Sequence, residues 1–124
     1  MVATGYAKRF PCGQGEQYAL IGEFWAQMHA ALPDVALCGV GYDWENDSLR
    51  YLIGTLDGSV PSGLTIPGAD YLSLALPEEG WEIWQCSLNN LSSTYDEIYA
   101  VSPLDWEIEW IGEQCTLQVH RITG

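Results

Sequence analysis

One order of elements, a strand, a helix and two further strands, occurs twice along this 124-residue chain. In the first half, apolar residues recur at steps of three and four, which predicts a helix over 16–32 that ends at Pro33. In the second half, the same spacing predicts a helix over 78–98 that opens after Pro77. Because an internal repeat fixes the architecture of both halves together, it constrains the fold more than any single motif.

Strand-like runs flank both predicted helices. One run precedes each helix, and two runs joined by a polar turn follow it. The runs cover 2–10, 35–44, 49–56, 69–76, 106–111 and 115–122, with turns at 45–48 and 112–114. A connector rich in glycine and proline, 57–68, separates the halves. We therefore predict one α+β domain over 1–124, built from duplicated βαββ modules with an antiparallel sheet and two long helices.

The run from Asp105 to Ile111 alternates tryptophans with carboxylates. Side chains on a strand alternate between its faces, so Trp106 and Trp110 lie on one face and Glu107 and Glu109 on the other. Carboxylates set among aromatic rings suit an organic cation, since ring faces attract positive charge and a carboxylate supplies the counter-ion. The alternative is an ordinary core strand whose glutamates lie in solvent.

The charge of the chain excludes several functions. There are 17 acidic against 4 basic residues, for a formal net charge of −13. Direct binding to nucleic acid or to an anionic membrane needs clustered Lys and Arg, and no such cluster is present. No apolar run approaches the roughly 20 residues of a membrane span. The first residues lack the apolar core of a signal peptide, so we expect a cytoplasmic protein.

The sequence contains little that indicates catalysis or a cofactor. Cys12, Cys38, Cys86 and Cys115 are widely spaced with no C-x-x-C pair, which favours free thiols over a metal or redox site. No G-x-S-x-G elbow and no phosphate loop is present. We expect no enzyme activity, no cofactor and no metal, although two carboxylates two residues apart leave a small hydrolase as an alternative.

Several stretches resemble the GyrI-like superfamily, whose small-molecule-binding domain also serves as the effector-binding domain of AraC-type and MerR-type multidrug regulators. They are Ile21-Gly-Glu-Phe-Trp25 in the first helix, the hairpin Cys38-Gly-Val-Gly-Tyr-Asp43 with Leu49-Arg-Tyr-Leu-Ile-Gly54, the strand entry Gly63-Leu-Thr-Ile-Pro-Gly-Ala-Asp-Tyr71, and Trp106-Glu-Ile-Glu-Trp-Ile111. The chain departs from the family in a first strand that is expected to be short, and in a tight final turn.

The resemblance implies two βαββ modules of the SHS2 type in pseudo-two-fold relation. It also implies that lipophilic cationic small molecules bind in an aromatic cleft with a buried glutamate, which maps onto Glu109 or Glu107. With no helix-turn-helix, the chain is most similar to stand-alone cationic-drug-binding proteins of mobile gene cassettes. Its role would be sensing or sequestration, with any effect on transcription through a protein partner. The alternative is an acidic interaction module acting on a partner such as gyrase or a transcription complex.

Glu107 and Glu109 are therefore the first candidates for ligand contact. Aromatic residues on both predicted helices and on several strands are candidates to line the pocket, with core packing as the alternative for each. They are Trp110, Tyr42, Trp44, Tyr51, Tyr71, Trp81, Trp25 and Trp84.

Overall fold

The computed structural model describes residues 1–11, 17–111 and 114–122, and it has the predicted α+β class. Seven strands form one sheet in the order β4-β1-β3-β2-β6-β7-β5, and every neighbouring pair is antiparallel. The elements, in chain order, are β1 (Val2–Pro11), α1 (Gln17–Ala31), β2 (Cys38–Glu45), β3 (Ser48–Thr55), β4 (Asp70–Ala75), β5 (Trp81–Ser87), a 3-10 turn (Leu88–Asn90), α2 (Leu91–Val101), β6 (Leu104–Trp110) and β7 (Gln114–Arg121).

The predicted second helix, 78–98, is wrong over its first half. Residues 81–87 form β5, which pairs with β7 along its whole length, and α2 begins only at Leu91. This stretch is rich in Trp, Ile and Cys, and cross-strand pairing outweighs its helical spacing. Gly80, at a φ of 89°, turns the chain into the strand. Before α2, the backbone N–H of Ser87 donates to the side chain of Asn90 at 2.8 Å.

The first strand follows the predicted run 2–10 to within one residue. β1 has ten residues and pairs with both β3 and β4, so it is not the short strand that was named as a departure from the family. The predicted start of the first helix at residue 16, most of the turn at 112–114 and Cys12 lie outside the described residues.

Both helices pack on one side of the sheet, which we call the helical face. Phe24 and Met28 of α1 are buried in one cluster with Tyr51 and Ile53 of β3. On α2, Tyr95 and Ile98 are buried in another cluster with Leu117 and Val119 of β7. The opposite side, the back face, holds a third cluster. Its fully or almost fully buried members are Ala3, Ala7, Cys38, Val40, Tyr42, Leu52, Leu76 and Ile108.

A short connector forces the sheet to curve. β4 and β5 lie at opposite edges, which in a flat seven-stranded sheet would be about 29 Å apart. The connector of residues 76–80 reaches only about 21 Å between Ala75 and Trp81. Leu76 and Trp81 both contact the back-face cluster, so the sheet is concave on that side.

The helices consequently lie on the convex side, over different strands of the sheet. α1 packs on β1 and β3, and α2 packs on β5, which leaves the central β2–β6 pair between them. Among the described residues, no helix combines the length and apolar character needed to cross a lipid bilayer.

Candidate functional site

Two carboxylates of β6 are buried in the middle of the helical face. Glu107 is 4% exposed and Glu109 is 8% exposed, so neither glutamate lies in solvent. Their neighbours Trp106, Ile108 and Trp110 contact the back-face cluster instead. The period-two alternation therefore places the acids under the helices and the tryptophans on the other side of the same strand.

Two glycines of β2 make room for this arrangement. Gly41 is paired with Glu107, and Gly39 with Glu109. A Cβ atom at Gly41 would lie 2.7 Å from Oε1 of Glu107, and one at Gly39 would overlap the hydroxyl of Tyr51. Since only glycine leaves that space, the sequence Gly-x-Gly on β2 lets these side chains fold over the backbone of the central strand.

A cavity of about 430 Å³ lies over the β2–β6 pair, between the two helices. Its walls are mostly aromatic and aliphatic, and its polar groups are the two glutamates and tyrosine hydroxyls. The lining comes from α1 (Tyr18, Ile21, Gly22, Trp25), from α2 (Leu91, Tyr95, Tyr99) and from the sheet and the residue after β6 (Trp44, Leu49, Glu107, Glu109, Ile111). This composition is typical of a site for a small apolar molecule with one or two charged groups.

Tyrosine hydroxyls surround the two carboxylates. Tyr99 donates to Oε2 of Glu107 at 3.1 Å. Trp25 donates from its indole nitrogen to the hydroxyl of Tyr51 at 3.0 Å, which orients that hydroxyl close to Glu109. The hydroxyl of Tyr95 is buried without a well-formed hydrogen bond, yet its proximity to Glu109 lowers the pKa of that carboxyl. The carboxylates thus have hydroxyl neighbours, which stabilise their charge only in part.

Burial raises the pKa of both carboxyls. For Glu107 the loss of hydration is the largest cause, and the nearby Glu109 raises its pKa further. For Glu109 burial is again the largest cause, and the hydroxyls of Tyr95 and Tyr51 oppose it. Burial and Glu107 in turn raise the pKa of Tyr99. Two carboxyls this close titrate as a coupled pair. The charge of the cavity therefore depends on how many protons the pair holds, and not on either residue alone.

No basic side chain lines the cavity. All four Lys and Arg residues of the chain lie in the described part, and each has partners elsewhere. Arg9 pairs with Asp43 at 2.5 Å, Arg50 with Asp70 at 3.7 Å and Arg121 with Glu82 at 2.6 Å. Lys8 donates to Gln27 at 3.3 Å. Within the described ranges, Glu107 and Glu109 have no ion-pair partner.

The structure brings together five of the candidates from the sequence. Glu107, Glu109 and Trp25 line the cavity, and Tyr51 lies directly beneath it. Trp44, on β2, also lines it.

The other aromatic candidates lie elsewhere. Tyr42, Trp81 and Trp110 belong to the back-face cluster, where Tyr42 stacks on Trp106 with ring centroids 5.5 Å apart. Tyr71 is 41% exposed near the sheet edge and donates to the carbonyl oxygen of Val60. Trp84 packs in the cluster beneath α2.

Sequence reasoning missed the tyrosines that the helices contribute. Tyr18, Tyr95 and Tyr99 line the cavity, and the rings of Tyr95 and Tyr99 stack with centroids 5.7 Å apart. Tyr18 and Tyr95 lie at helical spacing with apolar residues, a pattern that indicates a helix but does not show which side chains face a cavity. The Gly-x-Gly of β2 was the available signal, because alternate glycines on a strand indicate that side chains approach the backbone from one face.

No thiol among the described residues lines this cavity. Cys38, Cys86 and Cys115 are free, and burial raises the pKa of the Cys38 thiol to about 12. In the part of the chain that the structure describes, no three His, Cys, Asp or Glu side chains are placed to hold a metal ion. No protein-family model matches the chain, and no curated protein sequence matches it.

Proposed function

We propose that this protein binds hydrophobic organic cations in the cavity between α1, α2 and the β2–β6 pair, as a sensor or a sequestering module. One observation carries the proposal: two buried carboxylates share an aromatic-walled cavity from which every Lys and Arg of the chain is absent. A buried charge needs a partner, and the chain supplies none here.

The geometry favours a cation over a neutral or anionic molecule of the same shape. Apolar contact with Ile21, Leu49 and Leu91 would hold any of them. The ring faces add roughly 0.5–2 kcal/mol for a cation alone. The carboxylates attract one sign of charge and repel the other, and the low dielectric of the cavity strengthens both effects. Selectivity for charge, more than total affinity, is therefore the expected property of the site.

The strand order supports a GyrI-like architecture, which we propose for this chain. β1, α1, β2 and β3 form one βαββ half, and β5, α2, β6 and β7 form the other. The sheet runs β1-β3-β2 and then β6-β7-β5, so the halves follow each other in mirrored order and meet at the β2–β6 pair. In this arrangement the second half begins at β5 rather than at the predicted run 69–76, and β4 is an added edge strand. The cavity then lies at the pseudo-two-fold junction.

A dye pair tests the proposed function. Purified protein is titrated with a rhodamine-type lipophilic cation and with an anionic dye of similar size, and tryptophan fluorescence is recorded. Trp25 and Trp44 line the cavity, so the cation should quench emission and the anion should not. The double variant Glu107→Gln/Glu109→Gln keeps the side-chain shapes. It should lower the affinity for the cationic dye by about 100-fold, which corresponds to about 2.7 kcal/mol.

Glu97→Gln is the matched control. Glu97 lies on the exposed side of α2, and its replacement makes the same chemical change without touching the cavity. The affinity of this variant for the cationic dye should stay within about twofold of that of the unaltered protein, since an exposed charge is screened by salt. Equal binding of the two dyes, or an unchanged affinity in the double glutamine variant, would contradict the proposed function.

A further inference from the structure

We infer that the preferred ligands are dications, organic molecules with two positively charged nitrogen centres, one beside Glu107 and one beside Glu109. This inference rests on the proposed function and narrows its ligand class. A dication places one positive centre beside each buried carboxylate, whereas a monocation places one beside only one of them.

The two carboxylates are separate anchoring points. Glu107 and Glu109 lie two residues apart on one face of β6, so their Cα atoms are about 7 Å apart. Glu107 folds over Gly41 and accepts from Tyr99 on α2. Glu109 is paired with Gly39 and lies near the hydroxyls of Tyr51 and Tyr95. Different neighbours hold each carboxylate, which suits two nitrogen centres joined by a short apolar spacer.

The surroundings of the pair supply no positive charge. The titratable groups that face it come from α1, α2, β3 and β5, and none of them is basic. They are Tyr18, Tyr51, Cys86, Tyr95 and Tyr99, and Asp96 acts on Tyr18. Charge in the cavity is therefore balanced by a ligand, by a cation from solvent or by protons on the glutamates themselves. A monocation is balanced when the pair keeps one proton, and a dication when the pair keeps none.

Because of this difference, the pH dependence of affinity should differ between a dication and a monocation. Over the pH range in which the empty pair holds one proton, a dication must displace that proton, so the affinity of the dication rises with pH. A monocation binds the singly protonated pair without displacing it, so its affinity stays nearly constant over the same range. Both carboxyls have a pKa above the usual glutamate range, which places this range above the ordinary value of 4.5.

Two small aromatic amines provide the test. The diamine m-xylylenediamine and the monoamine 3-methylbenzylamine share a ring and a substitution pattern, and both stay protonated from about pH 5.5 to about pH 7.5. Binding is measured by isothermal titration calorimetry in two buffers with different ionisation enthalpies, which counts released protons. At neutral pH the diamine should bind at least about tenfold more tightly than the monoamine. Its affinity should rise up to about tenfold per pH unit with release of about one proton, against almost none for the monoamine.

Single variants sharpen the result. Glu107→Gln and Glu109→Gln each leave one carboxylate, so the advantage of the diamine and its extra proton release should disappear. Glu97→Gln should retain both. Circular dichroism checks that the variants are folded, and the comparison of the two amines on the unaltered protein does not depend on them.

The outcomes separate this inference from the proposed function. Equal affinities and parallel pH profiles for the two amines overturn the preference for dications while cation binding stands. Binding of the rhodamine-type dye without binding of the diamine has the same meaning. If the dye and both amines fail to bind, the proposed function fails as well.

Discussion

The two faces of β6 show how one strand carries two different environments. On the back face, Trp106 and Trp110 stay partly exposed although they are the largest apolar side chains of the segment. On the helical face, Glu107 and Glu109 are almost completely buried although they are charged residue types. Burial on this strand therefore follows the placement of the helices and the curvature of the sheet, and not the polarity of the residues.

The two faces also differ in what they contribute to the molecule. Ile108 is fully buried in the back-face cluster and stabilises the fold through apolar contact. The buried glutamates oppose folding, because their charged forms lose hydration without gaining an ion pair among the described residues. Buried ionisable groups that oppose folding support the proposed binding site, because a structural core does not require them.

The largest expected effect is a loss of folding stability when Gly39 of β2 is replaced, and its neighbour Val40 provides the comparison. Gly39→Ala places a methyl group against Tyr51, which is fully buried, and should cost about 3 kcal/mol of folding free energy. It should also weaken cation binding, because Tyr51 has to move away from Glu109. Urea unfolding and dye titration measure the two effects.

Val40→Ala is the comparison on the back face. It removes two methyl groups from a fully buried side chain, so it too should lower stability in urea unfolding. It should leave dye affinity unchanged. A Gly39→Ala protein with normal stability and normal affinity would mean that Tyr51 does not depend on the space at Gly39.

The next effect concerns pH and the carboxylates. Because the pKa of both glutamates is raised, the folded state holds protons that the unfolded state has lost, and stability falls as pH rises above the ordinary value of 4.5. The double variant Glu107→Gln/Glu109→Gln should not show this loss of stability with rising pH. At neutral pH the variant should be more stable by on the order of 2 kcal/mol, the cost of burying a polar group without full compensation. Below pH 4.5 the difference should vanish.

Urea midpoints across the acidic and neutral range measure this difference, with Glu97→Gln as the control for net charge. A variant that is less stable than the natural chain at neutral pH would show that these carboxylates support the fold.

The smallest expected effect isolates one hydroxyl. Tyr99→Phe removes the hydrogen bond to Glu107, whose pKa that bond lowers, so the carboxyl should hold its proton to higher pH. Cation affinity at neutral pH should fall by about threefold to tenfold, which corresponds to about 1 kcal/mol for one hydrogen bond. Tyr71→Phe removes a comparable hydroxyl outside the cavity and should leave affinity unchanged. Equal effects of the two variants on affinity would mean that the hydroxyl of Tyr99 has no specific role in cation binding.

The sequence predicted the parts of the fold that local pattern determines. The α+β class and the antiparallel sheet are confirmed, and α1 follows from a stripe that includes Ile21, Trp25 and Met28, which packs in the cluster on the helical face. The second helix was placed too early because the spacing of Leu91, Tyr95 and Ile98 continues by chance to Leu88 and Trp84. The pairing of β5 with β7 is non-local, so nothing within residues 81–87 could decide it.

The site was predictable only in part for the same reason. Alternation on β6 identified the two carboxylates, since that pattern is local. The aromatic residues that face them come from α1, α2 and β3, which are distant in sequence. Trp110 is a sequence neighbour of Glu109 and lies on the other face of the strand. Which rings meet the carboxylates is therefore decided by how the helices lie on the sheet.

The length of the short connector, residues 76–80, affects the size of the cavity, although the connector contacts the back face and the cavity lies on the helical face. With only five residues, the connector limits how far β4 and β5 can separate, and α1 and α2 lie over different strands of the sheet between those edges. Inserting residues beside Gly80 would let the edges separate, flatten the sheet and bring the helices toward each other. The size of molecule that the cavity admits would then change without alteration of any residue that lines it. In the proposed function, ligand size and ligand charge would thus depend on different parts of the chain, and we expect that each can be altered without the other.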